Sequence, residues 1–258
     1  MVCSLHIQRS RLGTETVLKH SRNSIFASAR KVIVNKIPFS VYDFFAYLSS
    51  GVVLMAAVDQ VWGNGVLAQK EINVTLGIVL IITAYITGHV VAHFSSFLFE
   101  QVVVHRILRS PAWLLLGRKP RWKPLRWVFP NYHRPLSDNT QKRVREQAVA
   151  RGCNAEDEGL FQHAYPIITA NESIQARLDT FRNQYGFARN VSFSCFLAAI
   201  VISIGHWCSH RPMQLRWAVF STIFGITLFY RYLKFFRQYT YELFLRYSGL
   251  PLPTKETA

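Results

Sequence analysis

INVTLGIVLIITAYITGHVVAHFSSFLFE, residues 72–100, decides the fold. The stretch exceeds the roughly 20 apolar residues needed to cross a bilayer, and before Glu100 its only ionisable side chains are His89 and His93. It reads as a membrane-spanning helix. Gly88, His89, His93, Ser95 and Ser96 are small or polar at a depth where lipid tolerates few such residues, so one face is expected to pack against protein.

Upstream, PFSVYDFFAYLSSGVVLMAAVDQVW (38–62) has the length of a first span, and Pro38 near its start costs no intrahelical hydrogen bond. Asp43 and Asp59 bracket it near opposite interfaces, and Tyr42 and Trp62 suit interfacial anchors. The connection GNGVLAQKE (63–71) is short and turn-rich, so the two spans should be antiparallel. That arrangement brings Asp43 near the His93–Glu100 region.

Downstream, two more apolar runs, starting near Asn190 and Leu215, flank the connection HWCSHRPMQ (206–214). The expected fold is therefore an all-α membrane protein: four transmembrane helices in two hairpins with a mainly helical cytoplasmic insert. The segments are a basic tail (1–36), a first hairpin (37–100), the insert (101–189), a second hairpin (190–235) and a C-terminal helix with its tail (236–258).

Charge sets the orientation. Lys and Arg total 30 against 14 Asp and Glu, and they concentrate in the tail, the insert and the C-terminal end rather than in the short connections. Under the positive-inside rule both termini and the insert are cytoplasmic. Anionic lipid headgroups explain this charge more simply than nucleic acid does. The tail lacks the continuous apolar core of a secretory signal and reads as a disordered leader, the competing reading being a basic segment on the inner leaflet. The cysteines Cys3, Cys153, Cys195 and Cys208 sit in unlike contexts and imply no disulfide framework.

Within the insert, WLLLGRKPRWKPLRWVFPNYHRP (113–135) interleaves Arg118, Lys119, Arg121, Lys123 and Arg126 with aromatic rings, which suits a loop resting on headgroups. Arg231, Lys234 and Arg237 recur at three-residue spacing beyond the fourth apolar run and are expected to snorkel to inner-leaflet phosphates. A helix is expected over 137–151, with Ser137 or Asp138 as N-cap and Gly152 as stop. Another, from about Asn171, should feed directly into the third span.

His89 and His93 share a helix face, and His206 and His210 repeat the spacing near the other end of the bundle. Such pairs can hold a metal, but these two lie at different depths, and no span carries the carboxylate and histidine set of a di-iron bundle. Phosphate-binding glycine loops and the nucleophile-elbow motif are absent. No cofactor, metal or catalytic residue is assigned, and enzyme activity is disfavoured. Asp43, His89, His93 and Glu100 are instead expected to form an intramembrane polar network.

Four segments carry a family resemblance: SVYDFFAYLSSG (40–51), AYITGHVVAHFSSFLFE (84–100), RLDTFRNQYGFARN (177–190) and FYRYLKFFRQYTYELF (229–244). Together they resemble a group of bacterial membrane proteins with two helical hairpins around a cytoplasmic insert. Some proteins of similar plan accompany anti-phage defence genes. The resemblance implies an oligomeric inner-membrane sensor or effector that couples a cytoplasmic protein partner to the bilayer through a change of helix packing at the polar network. An oligomeric channel or transporter is the first alternative, and a lipid-modifying or metal-dependent membrane enzyme the second.

Overall fold

A computed structural model describes residues 41–62, 65–69, 73–154, 156–209 and 212–253. The expectations for the basic tail, Cys3, Pro38 and His210 fall outside them. Among the described residues all regular structure is helical, with no strand. The elements are α1 (Val41–Trp62), α2 (Val74–Ser95), a π-helical continuation of α2 (Ser96–Leu108), α3 (Pro111–Leu115), α4 (Lys123–Val128), α5 (Asp138–Ala150), α6 (Glu158–Thr169), α7 (Glu172–Ser209) and α8 (Pro212–Ser248).

Three helical stretches are long and apolar enough to cross a membrane: Val41–Trp62, Val74–Leu115 and Glu172–Cys208. In α8 the uncharged run is confined between Arg216 and Arg231 and is shorter than the other three, which keeps it out of that group.

Small residues set how α1 and α2 meet. The buried positions of α1 are Ala46, Ser50, Gly51 and Ala57. A methyl group added at Gly51 would lie 1.8 Å from the Ala84 carbonyl oxygen, and one at Gly88 would lie 1.8 Å from that of Tyr47. The backbones therefore touch, and the pairings 51 with 84 and 47 with 88 make the helices antiparallel. Asn73 caps α2 by accepting from the Thr75 N–H at 3.3 Å. At the far end of α1, the Asp59 carboxylate accepts the Val66 and Leu67 N–H groups at 3.0 and 3.1 Å, which holds the turn Val66–Ala68 against the helix.

α7 and α8, of 38 and 37 residues, are the longest elements. At 1.5 Å per residue each spans about 55 Å, well beyond the ~30 Å of bilayer hydrocarbon. They run antiparallel: Ser192 Oγ donates to the Gly225 carbonyl at 2.8 Å, and further along Arg177 Nε meets Glu242 at 2.9 Å. Ser194 Oγ donates to the Ser50 carbonyl at 2.8 Å, which ties α7 to α1.

Three hydrophobic clusters succeed one another along this pair. Ala57, Ala198, Ile202 and Ala218 form the first, made of small side chains and one isoleucine. The second gathers Phe99, Val104, Leu108, Tyr132, Phe193 and Tyr232, among others, where the π-helix crosses α7 and α8. The third is an aromatic and aliphatic core in which Tyr239, Leu243, Phe244 and Tyr247 of α8 are enclosed by α3, α5 and α6 and by Leu178 of α7. Residues 236–248 thus share one core with the insert.

Local sequence explains the insert's elements. Ser137 Oγ caps α5 by accepting from Thr140, and Gly152 (φ +72°) follows its C-terminal turn in the left-handed region that favours glycine. α6 retains Pro166 in its interior. The proline-rich segment that the sequence casts as irregular carries two short helices, α3 and α4, with proline in the first turn of each.

Candidate functional site

The π-helix is the departure from regular geometry with the greatest reach. It carries 13 residues, where such geometry is usually confined to a single turn. Its wider turn re-phases the side chains: buried positions fall at Ser95, Phe99, Val104 and Leu108, with a five-residue step in the middle. A straight α-helix would have carried the later apolar residues off the contact face. The segment ends at Arg109, a non-glycine residue at φ +70°, whose carbonyl accepts the buried Tyr132 hydroxyl at 3.0 Å and whose guanidinium lies 5.2 Å from the Trp113 ring.

Glu100 sits in the first turns of this π-helix and forms an ion pair with Arg189 of α7. Both are largely enclosed, the side chains exposing 23% and 14%. The second carboxylate oxygen of Glu100 accepts from Ser96 Oγ at 3.1 Å. Arg189 Nε also donates to Asn190 Oδ1 at 3.1 Å, and Ser95 Oγ donates to the same oxygen at 2.8 Å. One carboxylate, one guanidinium, one amide and two hydroxyls therefore close a network between α2 and α7. The buried Tyr232 hydroxyl of α8, without a hydrogen-bond partner, and that of Tyr185 lie within electrostatic reach of both charges. The network sits where the second cluster gives way to the third.

The predicted polar residues divide around this junction. Glu100 is central to it. His89 is exposed and stacks on Tyr47 (centroids 4.0 Å apart, planes at 24°), with Tyr85 edge-on at 4.6 Å. Asp43 and Arg189 both act electrostatically on the Tyr47 hydroxyl. His93 is exposed and its ring meets that of Phe94, with centroids 5.9 Å apart. Among the described residues, no group of three or more His, Cys, Asp or Glu side chains converges as a metal site would require.

Arg189 was not singled out in the sequence. The signal was present: it opens an apolar run, and the positions three and four residues away (Tyr185, Gly186, Ser192, Phe193) offer it no acid. A cation so placed needs a partner from another helix. Glu242 is a second omission. Buried to 3% exposure on α8, it accepts from Arg177 of α7 at 2.9 Å and from Arg246 at 3.1 Å, and so clamps the two long helices inside the third cluster.

The predicted headgroup contacts also separate. Arg118 is committed to protein: it pairs with Glu156 and, at 3.2 Å, with Asp157, and lies 5.5 Å from the Trp113 ring. Burial pushes the Asp157 carboxyl above its ordinary range, against the lowering effect of Arg118. Arg121 donates to the Arg106 carbonyl at 3.3 Å, which ties the basic segment to the π-helix. Lys119, Lys123 and Arg126 are exposed, and α4 has no buried residue, with Trp127 92% exposed. Arg231 lies over the Phe235 ring at 5.0 Å, Lys234 is exposed, and Arg237 donates to the Arg134 carbonyl at 2.7 Å.

Compared with protein-family models, with curated proteins and with solved structures, the chain matches none.

Proposed function

We propose that this chain is a four-span protein of the bacterial inner membrane, with both termini cytoplasmic, that couples the packing of its cytoplasmic helical domain to the packing of its helices in the bilayer. The observation that carries the reading is the Glu100–Arg189 network, set where two helices pass without a break from an apolar surface into a cytoplasmic core. A partner that displaces the ends of α7 and α8 has to strain or break this partly buried pair to move them against α2.

The first half of α8 supplies the fourth span. Trp217, Val219, Phe220, Ile223, Phe224 and Ile226 are exposed, level with exposed Ile200 and Ile204 on α7 and in keeping with Ile78, Ile82 and Ile86 on α2. An apolar surface of this extent facing water would be a severe aggregation liability, whereas facing lipid it costs nothing. A channel within one chain finds less support. Ser50, Ser192 and Ser194 each donate to a backbone carbonyl and Ser95 to Asn190, so these buried hydroxyls are already committed within the protein.

Two measurements test the proposal. In a Cys3→Ser background, a membrane-impermeant maleimide applied to spheroplasts should modify Cys208, and Cys153 only after permeabilisation; reversed labelling overturns the topology. In Glu100→Gln protein, hydrogen exchange should quicken both in residues 96–108 and in the cytoplasmic ends of α7 and α8. Exchange that quickens only within the turn carrying the substitution would remove the coupling role.

A further inference from the structure

A groove of about 590 Å³ lies between the segment Phe129–Arg134 and one face of α8. Its charged lining is wholly cationic: Arg134, Arg231, Lys234 and Arg237, with no acidic side chain. The wall opposite α8 is fixed. Tyr230 Oη donates to the Val128 carbonyl at 3.3 Å, Phe129 packs on Tyr230 with centroids 5.0 Å apart, and the buried His133 shares a 2.8 Å hydrogen bond with the Phe129 carbonyl. Arg237 is held in place by the Arg134 carbonyl, yet its Nε–H has no partner. Burial and the neighbouring Arg134 charge both act against its own charge. Four cations around a preformed concavity, one of them with an unused donor, need an anion.

The helix face that floors the groove indicates what kind of anion. Thr227, Arg231, Lys234 and Gln238 follow one another at three- and four-residue steps. Continued backward, the same face carries Phe220, Ile223 and Phe224, all exposed, with the rings of Phe220 and Phe224 stacked 6.1 Å apart. An apolar, aromatic stripe thus runs directly into a cationic cup. A free anion would use the cup alone; a phospholipid would use both, with acyl chains along the stripe and phosphate among the arginines.

We infer that this groove is a discrete site for the phosphodiester headgroup of an anionic phospholipid, with Arg231 and Lys234 contacting the phosphate and Arg237 and Arg134 supplying the charge behind them. The inference rests on the four-span reading above, which puts the groove at the cytoplasmic leaflet. It differs from general attraction to a negative surface, because the exposed cations Lys123 and Arg126 on α4 lie outside the groove and take no part.

The test uses the full chain in nanodiscs of phosphatidylcholine with or without one fifth phosphatidylglycerol or cardiolipin, and counts retained anionic lipid by native mass spectrometry. Arg231→Gln with Lys234→Gln should weaken retention by about 30-fold, two cations' worth of attraction to an anionic lipid. Arg231→Lys with Lys234→Arg should restore it, and Lys123→Gln with Arg126→Gln should leave it near the unsubstituted value. Equal losses in the two glutamine pairs would reduce the site to diffuse surface charge, and retention unaffected by either pair would eliminate it. In a second arm, inorganic phosphate is added to lipid-free protein in detergent. Thermal stabilisation by phosphate equal to that given by short-chain phosphatidylglycerol would overturn the lipid assignment. Retention of lipid by the cup variants together with correct maleimide topology would refute the site while leaving the four-span reading intact; reversed topology would refute that reading independently.

Discussion

The two halves of this molecule bury opposite things. In α1 and α2 the enclosed positions are Ala46, Ser50, Gly51, Ala57, Ala84, Gly88, Val91, Ala92 and Ser95, all small except Val91, while Ile78, Ile82, Ile86 and Phe97 face outward. In the half built from the insert and the end of α8 the enclosed positions are Leu115, Ile168, Leu178, Leu243, Phe244 and Tyr247, while Lys142, Arg143 and Glu146 face outward. One physical rule produces both patterns. Water drives large apolar side chains inward, whereas lipid, as apolar as leucine, leaves close van der Waals contact between small residues and hydrogen bonds to associate the helices. The Glu100–Arg189 network lies where one pattern gives way to the other.

The comparison breaks most readily at Phe244. Truncation to alanine removes a fully buried ring from the third cluster, and a cost of about 3–5 kcal/mol is expected. Ile82→Ala removes a large side chain from α2 but should leave thermal stability in detergent nearly unchanged, because the residue is 53% exposed. Comparable losses in the two variants would mean that α2 faces protein rather than lipid.

Enlarging a side chain should reverse the asymmetry. Gly88→Val places its branch in the Tyr47 backbone, with no flexible side chain to yield, and should cost on the order of 3 kcal/mol or separate α1 from α2 altogether. In the other half, Gly186→Ala introduces a methyl group with nothing within 4 Å and should be neutral or slightly stabilising. Crosslinking yield between cysteines placed at Phe44 and Tyr85, whose rings lie 5.4 Å apart, would report the separation, and an unchanged yield in Gly88→Val would contradict the close approach.

Much of this inversion is legible in the sequence. The hydropathy of 72–100 announces a span whichever face packs, Ser137 and Gly152 mark the ends of α5, and the apolar spacing from Ile174 onward announces that α7 runs into its apolar stretch without a break. Less legible is what depends on two segments meeting. Nothing in SSFLFEQVVVHRIL signals a π-helix, because its reward is the tertiary contact of Val104 and Leu108 with α7 and α8. For the same reason Glu100 was recognisable as an odd residue while its partner was sought on α1 and among the histidines. The ion pair crosses 89 residues of sequence, and His93 is exposed beside the Phe94 ring. Of the eight basic residues expected on headgroups, Arg118 is taken by Glu156 and Asp157, acids that no local spacing connects to it.

At the boundary between the halves the expected effect is intermediate. Arg189→Gln leaves Glu100 partly buried and bonded only by Ser96, and should cost about 2 kcal/mol, less than a fully buried pair because both groups retain some access to solvent. Glu100→Gln together with Arg189→Gln should recover part of that loss, since neither uncompensated charge remains. Additive losses would indicate that the two residues act separately and would detach the boundary from the coupling assigned to it.

The smallest effect expected is a pH dependence confined to the half that holds the insert. Burial raises the Asp157 carboxyl above its unfolded value near 3.8, so the native state holds this proton more tightly than the unfolded chain. Its contribution to stability is therefore fully present below the unfolded value and is lost as pH rises through the folded one. Arg118 opposes this by favouring the carboxylate. Arg118→Gln should raise the folded value further and extend the loss to higher pH, so the stability gap between the variant and the unsubstituted chain should widen upward from about pH 4. Asp157→Asn should abolish the widening, because an amide does not titrate and still tolerates the positive φ of +56° at this position. Hydrogen exchange read separately in α5–α6 and in α1–α2 locates the effect. A gap that stays constant with pH would mean that Arg118 acts through Glu156 and the Trp113 ring alone, and an equal response in α1–α2 would mean that the two halves unfold as one unit despite their opposite interiors.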